Sequence, residues 1–372
     1  MLSYIEISKS RIKKNYLLFR NLIPPKVKIM CVLKGNGYGR GLKELVQILN
    51  RYVEYFAVDD IEELRIVRKY SNKPTFVMGY LRDTDLNEAI RLNAELSVHS
   101  LERLKTIVYL SKRLEKTPKL HVEIDAQFGR MGIGIEDLPE FLLYAKQVRN
   151  FVNVYAAYAH LSCATSRKNN THDQIQIDLF NKALELFKNS GFVKIKNHIS
   201  STSAILVYNS ESMDFVRLGA GLYGMWTSNE VKELSRIKNL KSIIRWVTHV
   251  AQVKEFPADY PIGYGKTYIT PKRMKIAVLP QGYGDGYDTE LSNKGEVLIH
   301  NQKCKVIGRV SMNMISVDVS SLVDVKEGDE AVLLGWQGDE EVTVYEIGSL
   351  IGTMHAEVTT KINADLPRKI VK

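Results

Sequence analysis

A lysine at the end of a predicted strand is the first residue that could do chemistry. Lys34 follows the apolar run K-I-M-C-V-L and precedes four glycines, at positions 35, 37, 39 and 41. A lysine that leaves an apolar strand is partly removed from water, which lowers its pKa and makes it a candidate for a Schiff base with a carbonyl. The glycines would let the backbone approach a ligand closely. A strand-end lysine that only reaches solvent is the alternative interpretation.

Three further motifs combine glycine with residues that could bind a ligand. Residues 216–224 (V-R-L-G-A-G-L-Y-G) lie at the end of the last predicted strand, and together with the hydroxyls of residues 200–203 they suit a phosphate group. Residues 261–268 (P-I-G-Y-G-K-T-Y) and 281–287 (Q-G-Y-G-D-G-Y) set tyrosines between glycines, where few neighbours can pack them. Exposed hydroxyls there indicate a binding surface. Taken singly, each motif is also explained by an ordinary tight turn.

The elements that must position these residues are short apolar runs separated by stretches of helical periodicity. Eight such runs predict strands: 28–33, 55–58, 75–78, 94–98, 120–124, 154–159, 195–199 and 215–218. Strands that alternate with helices in this way favour an α/β fold, a closed (β/α)8 TIM-type barrel. An open doubly wound sheet is the alternative, because counting strands does not prove closure.

The pattern changes after about residue 235, where β-branched runs are separated by turn signals. This pattern predicts a C-terminal all-β domain, interrupted by two helical segments at 344–351 and 355–361. We therefore expect a barrel domain at 1–235 and a β-domain at 236–372.

Composition limits the remaining function classes. The chain has 372 residues and a formal charge of +10, but its basic residues are dispersed, so we expect a solvated surface and no nucleic-acid partner. No apolar run is long enough to span a membrane, and the N-terminus lacks the pattern of a signal peptide. Three widely spaced cysteines form neither a disulfide framework nor a metal motif. We expect a cytoplasmic protein without a metal site.

Taken in order, the motifs resemble those of the bacterial alanine racemase family. They are the Lys34 loop, G-R-M-G-I at 129–133, His160-Leu161, Thr202-Ser203-Ala204, V-R-x-G at 216–219, Tyr264-Gly265, G-Y-G-D-G-Y, G-R-V-S-M and L-P-R near the end. The resemblance runs from about residue 4 to residue 368. It implies a barrel followed by a β-domain, pyridoxal 5'-phosphate as cofactor, and a homodimer that interconverts L- and D-alanine and so supplies D-alanine for the cell wall.

The resemblance also implies two catalytic residues. Lys34 matches the lysine that holds the cofactor covalently and acts as the base for the D-enantiomer. Tyr264 matches the base for the L-enantiomer, which reaches the site from the other subunit. Racemisation needs two bases because a proton leaves one face of Cα and returns on the other. A phenol is a poor base at pH 7, so the site must stabilise its phenolate or couple it to His160.

Other residues match the family's binding positions. Arg217 resembles the arginine that hydrogen-bonds the pyridine nitrogen of the cofactor and, because arginine keeps its proton, leaves that nitrogen unprotonated. Arg130 matches an arginine near the cofactor phenolate and the substrate carboxylate, and Met312 matches a residue whose backbone N–H reaches that carboxylate from the partner subunit. The residues that match the phosphate-binding positions are Tyr38, Ser203, Gly219 and Ala220.

The sequence departs from the family pattern at several positions. Glu123 stands where many members carry a carbamylated lysine that pairs with the arginine matched by Arg130. Asn313 replaces the aspartate of the usual M-D pair, which removes a negative charge near the expected Tyr264 site. Ala364 replaces a tyrosine that touches the phosphate and narrows the entrance, and Thr289 stands where an arginine is usual.

These departures leave alternatives open. The wider pocket expected from Ala364 makes a serine racemase, or an enzyme of broader specificity, the second reading. A non-catalytic pyridoxal-phosphate carrier would lack the β-domain and therefore any counterpart of Tyr264. A decarboxylase would be expected to place a carboxylate, and not Arg217, at the pyridine nitrogen.

Overall fold

The chain forms two units in a computed structural model, which describes residues 2–164, 170–208, 210–234 and 237–372. The barrel unit consists of residues 12–35 and 45–241. The β unit consists of the segment up to Arg11 and of residues 36–44 and 242–372. The domain boundary predicted between residues 235 and 236 lies outside the described residues.

The helices and strands are numbered separately in chain order. The strands are β1 (Tyr4–Ser8), β2 (Lys28–Val32), β3 (Tyr55–Val58), β4 (Thr75–Val77), β5 (Glu95–Val98), β6 (Lys119–Glu123), β7 (Asn153–Tyr158), β8 (Lys196–His198), β9 (Phe215–Leu218), β10 (Ile244–His249), β11 (Gln252–Phe256), β12 (Pro261–Ile262), β13 (Tyr268–Ile269), β14 (Met274–Leu279), β15 (Glu296–Ile299), β16 (Gln302–Ile307), β17 (Ile315–Asp318), β18 (Glu330–Gln337), β19 (Glu340–Val342) and β20 (Arg368–Val371). The helices are α1 (Lys9–Leu22), α2 (Lys34–Tyr38), α3 (Leu42–Leu49), α4 (Ile61–Tyr70), α5 (Asp83–Arg91), α6 (Leu101–Leu114), α7 (Leu138–Gln147), α8 (Asn170–Asn189), α9 (Thr202–Val207), α10 (Asn229–Leu234), α11 (Val344–Ile351) and α12 (His355–Thr360). Short 3₁₀ turns lie at Ala220–Tyr223, Tyr264–Lys266, Tyr283–Asp285 and Thr289–Leu291.

Eight parallel strands form a nearly closed barrel in the order β8-β7-β6-β5-β4-β3-β2-β9. The terminal strands β8 and β9 are joined at two points: the Asp214 N–H donates to the Asn197 carbonyl at 3.1 Å, and the Arg217 N–H donates to the Ser200 carbonyl at 2.9 Å. The apolar residues of the eight strands are buried because helices cover the outer face of such a barrel and side chains fill its interior. The predicted barrel and its eight strands are confirmed, and the open sheet is excluded.

Aromatic and imidazole rings fill part of the barrel interior. Phe76 on β4 stacks on His121 of β6 with ring centroids 4.2 Å apart. Tyr158 on β7 stacks on His198 of β8 at 5.0 Å and an interplanar angle of 3°. Histidines in such a core must have hydrogen-bond partners, since an unpaired buried polar group is costly.

The β unit is built on one sheet in the order β11-β14-β17-β16-β15-β18-β10-β1-β20, with β19 paired to β18. All neighbours are antiparallel except β1 and β20, which are parallel. The sequence placed residues 4–8 with the barrel, whereas β1 pairs within this sheet and buries Ile5 and Ile7. Alternation alone does not say which sheet a strand joins. The predicted helical pieces are present as α11 and α12.

None of the helices in the described part of the chain is long and apolar enough to cross a membrane.

Candidate active site

The carboxyl ends of β2 and β3 bring a lysine and a carboxylate together. Lys34 follows β2, Asp59 follows β3, and the Lys34 Nζ lies 3.8 Å from the Asp59 Oδ1. The Lys34 side chain is 44% exposed and that of Asp59 is 49% exposed. Catalytic groups of barrel enzymes sit at this end of the strands. Asp59 was not singled out from the sequence, although it follows its strand closely, as Lys34 does.

The chain turns with a left-handed twist directly after Lys34. Four successive residues have positive φ: Gly35 at 64°, Asn36 at 52°, Gly37 at 64° and Tyr38 at 55°. This conformation costs a residue other than glycine about 1–2 kcal/mol, so Asn36 and Tyr38 must be held in it. Two hydrogen bonds hold Asn36: its Oδ1 accepts from the Leu42 N–H at 2.8 Å, and its carbonyl accepts from the Gly41 N–H at 2.9 Å.

Arg217 on β9 is a buried guanidinium that the barrel holds firmly. Its NH1 donates to the His198 Nδ1 at 2.6 Å and to the His198 carbonyl at 3.1 Å. Its NH2 donates to the Ala159 carbonyl at 2.8 Å and lies 3.2 Å from the His160 Nδ1. Burial lowers the pKa of Arg217 to about 10, so the side chain stays charged at neutral pH. A charged donor is therefore fixed at the carboxyl end of the barrel.

His160 follows β7 and is neutral. Burial, together with the charges of Arg217, Arg130 and Lys34, lowers the pKa of His160 to about 3. Because the His160 Nδ1 accepts from Arg217, the ring proton is carried by Nε2. The ring of Phe128 packs edge-on against His160 at 5.2 Å and fixes its plane.

Glu123 and Arg130, at the end of β6 and in the loop that follows, approach each other loosely. The Glu123 Oε1 lies 3.9 Å from the Arg130 NH2, and the Arg130 side chain is 55% exposed whereas Glu123 is buried. Burial raises the pKa of Glu123, while a hydrogen bond from Tyr158 and the charge of Arg130 oppose that rise. Within the described chain, the buried Glu123 Oε2 has no hydrogen-bond partner. Glu123 therefore presents an unused acceptor at this end of the barrel.

Three of the four predicted phosphate-binding residues, Ser203, Gly219 and Ala220, lie where α9 begins and where β9 ends, whereas Tyr38 ends α2. The Thr202 hydroxyl accepts from the Gly219 N–H at 3.1 Å and from the Gly221 N–H at 3.3 Å, which ties the two segments together. The Ser203 hydroxyl donates to Thr227 at 2.8 Å. Ala220 begins a 3₁₀ turn, and the first N–H groups of helical segments attract anions. The Gly219 N–H, however, is engaged by Thr202, one of the residues whose hydroxyls the sequence predicted to face a phosphate.

The predicted residues of the β unit are exposed. Tyr264 lies in a 3₁₀ turn flanked by glycines and is 69% exposed, and Met312 is 56% exposed. The Gly284 N–H donates to the Met312 carbonyl at 2.8 Å, so the G-Y-G-D-G-Y loop packs against that residue. Asn313, next in the chain, is exposed as well, as is Thr289.

Ala364 is exposed and lies in the β unit beside the segment that carries Tyr38. Arg368 joins the two, since its NH1 donates to the Ala364 carbonyl and its NH2 donates to the Gly39 carbonyl at 3.1 Å. Gly39 admits no side chain, because an added Cβ would lie 1.8 Å from the Thr359 carbonyl oxygen.

The site residues thus form two sets. The barrel unit contains Lys34, Glu123, Arg130, His160, Ser203, Arg217, Gly219 and Ala220, and the β unit contains Tyr38, Tyr264, Met312, Asn313 and Ala364. In the described residues, no group of three or more histidine, cysteine, aspartate or glutamate side chains is arranged to hold a metal ion. A cavity of about 560 Å³ lined by Arg68, Glu95 and Lys119 lies at the opposite, amino-terminal end of the strands, away from Lys34.

Comparisons with known proteins identify the family of the chain. The family model described as alanine racemase, N-terminal domain, matches residues 7–226, and the one described as alanine racemase, C-terminal domain, matches residues 243–370. The alanine racemase of Carboxydothermus hydrogenoformans is 31% identical over 98% of this chain and 98% of its own length. Alanine racemase 2 of Bacillus subtilis is 30% identical over 99% of this chain and 94% of its own. The solved structure of alanine racemase from Clostridium difficile 630 matches with a TM-score of 0.91 at 26% identity and covers 100% of this chain and 96% of that one. The chain belongs to the alanine racemase family.

Proposed function

We propose that this chain is a pyridoxal-phosphate-dependent racemase that interconverts L- and D-alanine. The proposal is supported most directly by one observation. An amine, Lys34, and a buried, permanently charged guanidinium, Arg217, lie at the carboxyl end of the same barrel. Membership of the alanine racemase family supports the same reaction.

The donor set of the barrel fits pyridoxal phosphate. Lys34 supplies the amine that would hold the cofactor's aldehyde carbon, and Arg217 supplies a donor for the ring nitrogen. Ser203 and Ala220, at the starts of two helical segments, suit the phosphate. When bound, the cofactor withdraws electrons from an attached amino acid and makes its Cα–H acidic.

Arg217 determines whether the ring nitrogen of the cofactor receives a proton or only a hydrogen bond. All of its hydrogen bonds run from its own N–H groups to acceptors, and its pKa of about 10 keeps it protonated at neutral pH. Arginine therefore donates a hydrogen bond and does not hand over its proton. Compared with a carboxylate partner, this favours rapid return of the proton to Cα and disfavours transamination. Decarboxylases that use a carboxylate at this position are disfavoured for the same reason.

Two bases serve the two faces of the substrate Cα in this proposal. Lys34 Nζ removes or returns the proton on the face of the D-enantiomer, and the Tyr264 hydroxyl does so on the other. The neutral His160, with its proton on Nε2, offers a partner for a phenolate. Arg130 binds the substrate carboxylate, as does the backbone N–H of Met312.

We further propose that Tyr264 and Met312 act on the partner subunit's site in a homodimer. Both side chains are more than half exposed, as is the nearby Met314 at 54%, and Tyr283 is exposed at 46%. Aromatic and methionine side chains are enriched in interfaces and are poor candidates for contact with water alone. The loop of residues 281–287 and the segment around Met312, which hydrogen-bond to each other, form the proposed contact surface.

The physiological assignment follows from the reaction. A D-alanine supply serves peptidoglycan synthesis, which starts in the cytoplasm. Cys31, Cys163 and Cys304 are all free thiols, as a reducing compartment would keep them. We retain the division into a cofactor-binding domain at 1–235 and a β-domain at 236–372 as part of this proposal, with residues 4–8 paired in the sheet of the β unit.

The decisive experiment incubates the purified protein and pyridoxal phosphate with each L-amino acid, followed by chiral chromatography. We expect D-alanine to accumulate until both enantiomers are equal, since they have the same free energy. Serine is the second candidate substrate because Ala364 is small and exposed. Equal or faster racemisation of serine would change the substrate assignment, and no racemisation of any amino acid would overturn the proposed function.

A further inference from the structure

Four buried groups form a hydrogen-bonded chain across the interior of the barrel. The Glu95 Oε2 lies 2.8 Å from the His121 Nε2, and the His121 Nδ1 lies 2.9 Å from the His198 Nε2. The His198 Nδ1 in turn lies 2.6 Å from the NH1 of Arg217. Glu95 opens β5 at the amino-terminal end of the barrel, whereas Arg217 belongs to the candidate active site at the carboxyl end. The chain therefore joins the two ends of the barrel.

The order of donors and acceptors along this chain has one consistent solution. A carboxylate only accepts, so the His121 Nε2 must carry a proton and its Nδ1 must be a lone pair. The His198 Nε2 then donates to that lone pair, which leaves the His198 Nδ1 as an acceptor. Arg217 only donates, so it finds an acceptor where it needs one.

The opposite tautomers produce two conflicts. If His121 carried its proton on Nδ1, its Nε2 lone pair would face the Glu95 carboxylate at 2.8 Å. His198 would then carry its proton on Nδ1 and would face the Arg217 N–H group at 2.6 Å. Two acceptors and two donors would thus oppose each other in a dry interior, where each unmade hydrogen bond costs most.

Neither ring can remove these conflicts by gaining a second proton or by rotating. Burial lowers the pKa of both rings. At His198 the charge of Arg217 lowers it further, and at His121 the Glu95 carboxylate opposes the fall without reversing it, so both rings are neutral at pH 7. Stacking of Phe76 on His121 and of Tyr158 on His198 fixes the two ring planes.

Glu95 is itself held as a carboxylate. Its Oε1 accepts from the Lys119 Nζ at 3.2 Å and lies 3.4 Å from the Tyr55 hydroxyl. Burial alone would raise the pKa of Glu95, but the hydrogen bond from the neutral His121 and the hydrogen bond and charge of Lys119 outweigh it and hold that pKa below its usual range.

We propose that Glu95 is a positioning residue for the racemase site, because it fixes the tautomers of His121 and His198 and thereby the acceptor that orients Arg217. The part of this inference that concerns catalysis rests on the proposed function, whereas the part that concerns the tautomers does not. Neither Glu95 nor His121 touches the candidate active site, so their effect is exerted only through the chain.

The first test needs no variant. Ring-nitrogen NMR of the holoenzyme labelled with ¹⁵N-histidine shows which nitrogen of each ring carries the proton, and a His121→Gln spectrum assigns the signals. We expect the proton on Nε2 in both rings. A proton on Nδ1 of either ring, or a doubly protonated ring, would overturn the inference.

Variants of Glu95 test the cause. Glu95→Gln keeps a carbonyl acceptor for the His121 Nε2–H and should keep both tautomers. Glu95→Leu leaves that N–H without an acceptor, so that only Arg217 still biases the chain, and should shift part of the His121 protons to Nδ1. Lys119→Met removes the other partner of Glu95 without touching the acceptor, so it is the matched control and should keep both. Unchanged tautomers in Glu95→Leu would show that Glu95 does not set them.

Activity supplies the second readout. We expect kcat for alanine to fall roughly 10–100-fold in Glu95→Leu, the range found for outer partners of site histidines, with KM little changed and recovery in Glu95→Gln. A Glu95→Leu enzyme that changes tautomers but keeps the wild-type kcat would refute the positioning role. If the wild-type protein racemises no amino acid, the proposed function fails. The NMR result then still decides whether Glu95 fixes the tautomers of His121 and His198.

Discussion

The Glu123 carboxylate and the Arg130 guanidinium lie 3.9 Å apart, close enough for an ion pair but too far for a hydrogen bond. The expectation of a charge-assisted hydrogen bond between them is therefore not met in this structure. Arg130 instead rests with its Cζ 4.6 Å from the centre of the Phe128 ring, and more than half of its side chain is exposed. Because the guanidinium is more than half exposed and no hydrogen bond joins it to the buried carboxylate, we expect the pair to contribute about 1 kcal/mol or less.

This geometry limits what removal of the charge can do. Glu123→Gln keeps the shape and removes the charge, and we expect it to raise KM for alanine by no more than roughly 5-fold, since about 1 kcal/mol corresponds to that factor. Steady-state kinetics with and without bicarbonate measure the effect. The wild-type enzyme should be indifferent to bicarbonate, and Glu123→Lys should depend on it because a lysine there needs carbon dioxide to become a carbamate. Bicarbonate dependence of the wild type would contradict the role of Glu123 as a permanent carboxylate.

A second prediction concerns the proposed shared site. Tyr264→Phe should slow the exchange of the Cα–H of L-alanine with deuterated water far more than that of D-alanine, because only one face loses its base. Each enantiomer is incubated separately with the enzyme in deuterated water, and mass spectrometry measures how much deuterium it has taken up. Mixed dimers of inactive Lys34→Ala and Tyr264→Phe chains should regain activity, because one of their two sites is intact. No recovery, despite demonstrated subunit exchange, would rule out action in trans.

Substrate choice provides a third prediction. Ala364→Tyr adds bulk and a hydroxyl beside the segment that carries Tyr38, so the ratio of kcat/KM for alanine to that for serine should rise. One methylene or hydroxyl is worth about 1–3 kcal/mol in a pocket, so the rise should lie within roughly 10–200-fold. Ala364→Leu, which adds bulk without a hydroxyl, separates the two effects. An unchanged ratio would mean that residue 364 does not face the substrate.

Stability should depend on pH through the two buried histidines. The pKa of His121 and of His198 is lowered in the folded state, whereas in the unfolded chain each titrates near its ordinary value of about 6.5. The unfolded state therefore binds more protons below that pH, and folding stability falls as the pH is lowered. The loss between pH 7 and pH 5 should be about 2 kcal/mol for His198, whose pKa is lowered well below its usual range, and smaller for His121, whose pKa falls less. Urea denaturation at both pH values measures it, and equal stability at the two would refute neutral, buried rings.

The elements of the barrel were predictable because each strand is a short, almost continuously apolar run. Lys34 was predictable for a related reason, since it lies at the carboxyl end of such a run, whereas Arg217 was identified through the resemblance to the family. The partners of these residues were not predictable. Asp59 pairs with Lys34, and Glu95 acts on Arg217 through two histidines, only because of register between strands far apart in the sequence.

Backbone details were equally hidden. The glycines after Lys34 predicted a close approach to a ligand, whereas the structure shows a left-handed turn that also includes Asn36 and Tyr38. No propensity predicts two such residues in that conformation, because hydrogen bonds formed after folding hold Asn36 there. Pairing between strands far apart in the sequence also decides the position of β1. Its local pattern therefore could not assign it to the sheet of the β unit.

Lys34 is the residue proposed to anchor the cofactor and so to define the reaction of this chain. Borohydride reduction of the holoenzyme makes the bond between a lysine and pyridoxal phosphate permanent, and proteolysis followed by mass spectrometry locates it. We expect the labelled peptide to carry the modification on Lys34, and Lys34→Ala to fold but take no label. A modification on any other lysine, or none at all in the wild-type holoenzyme, would contradict this proposal.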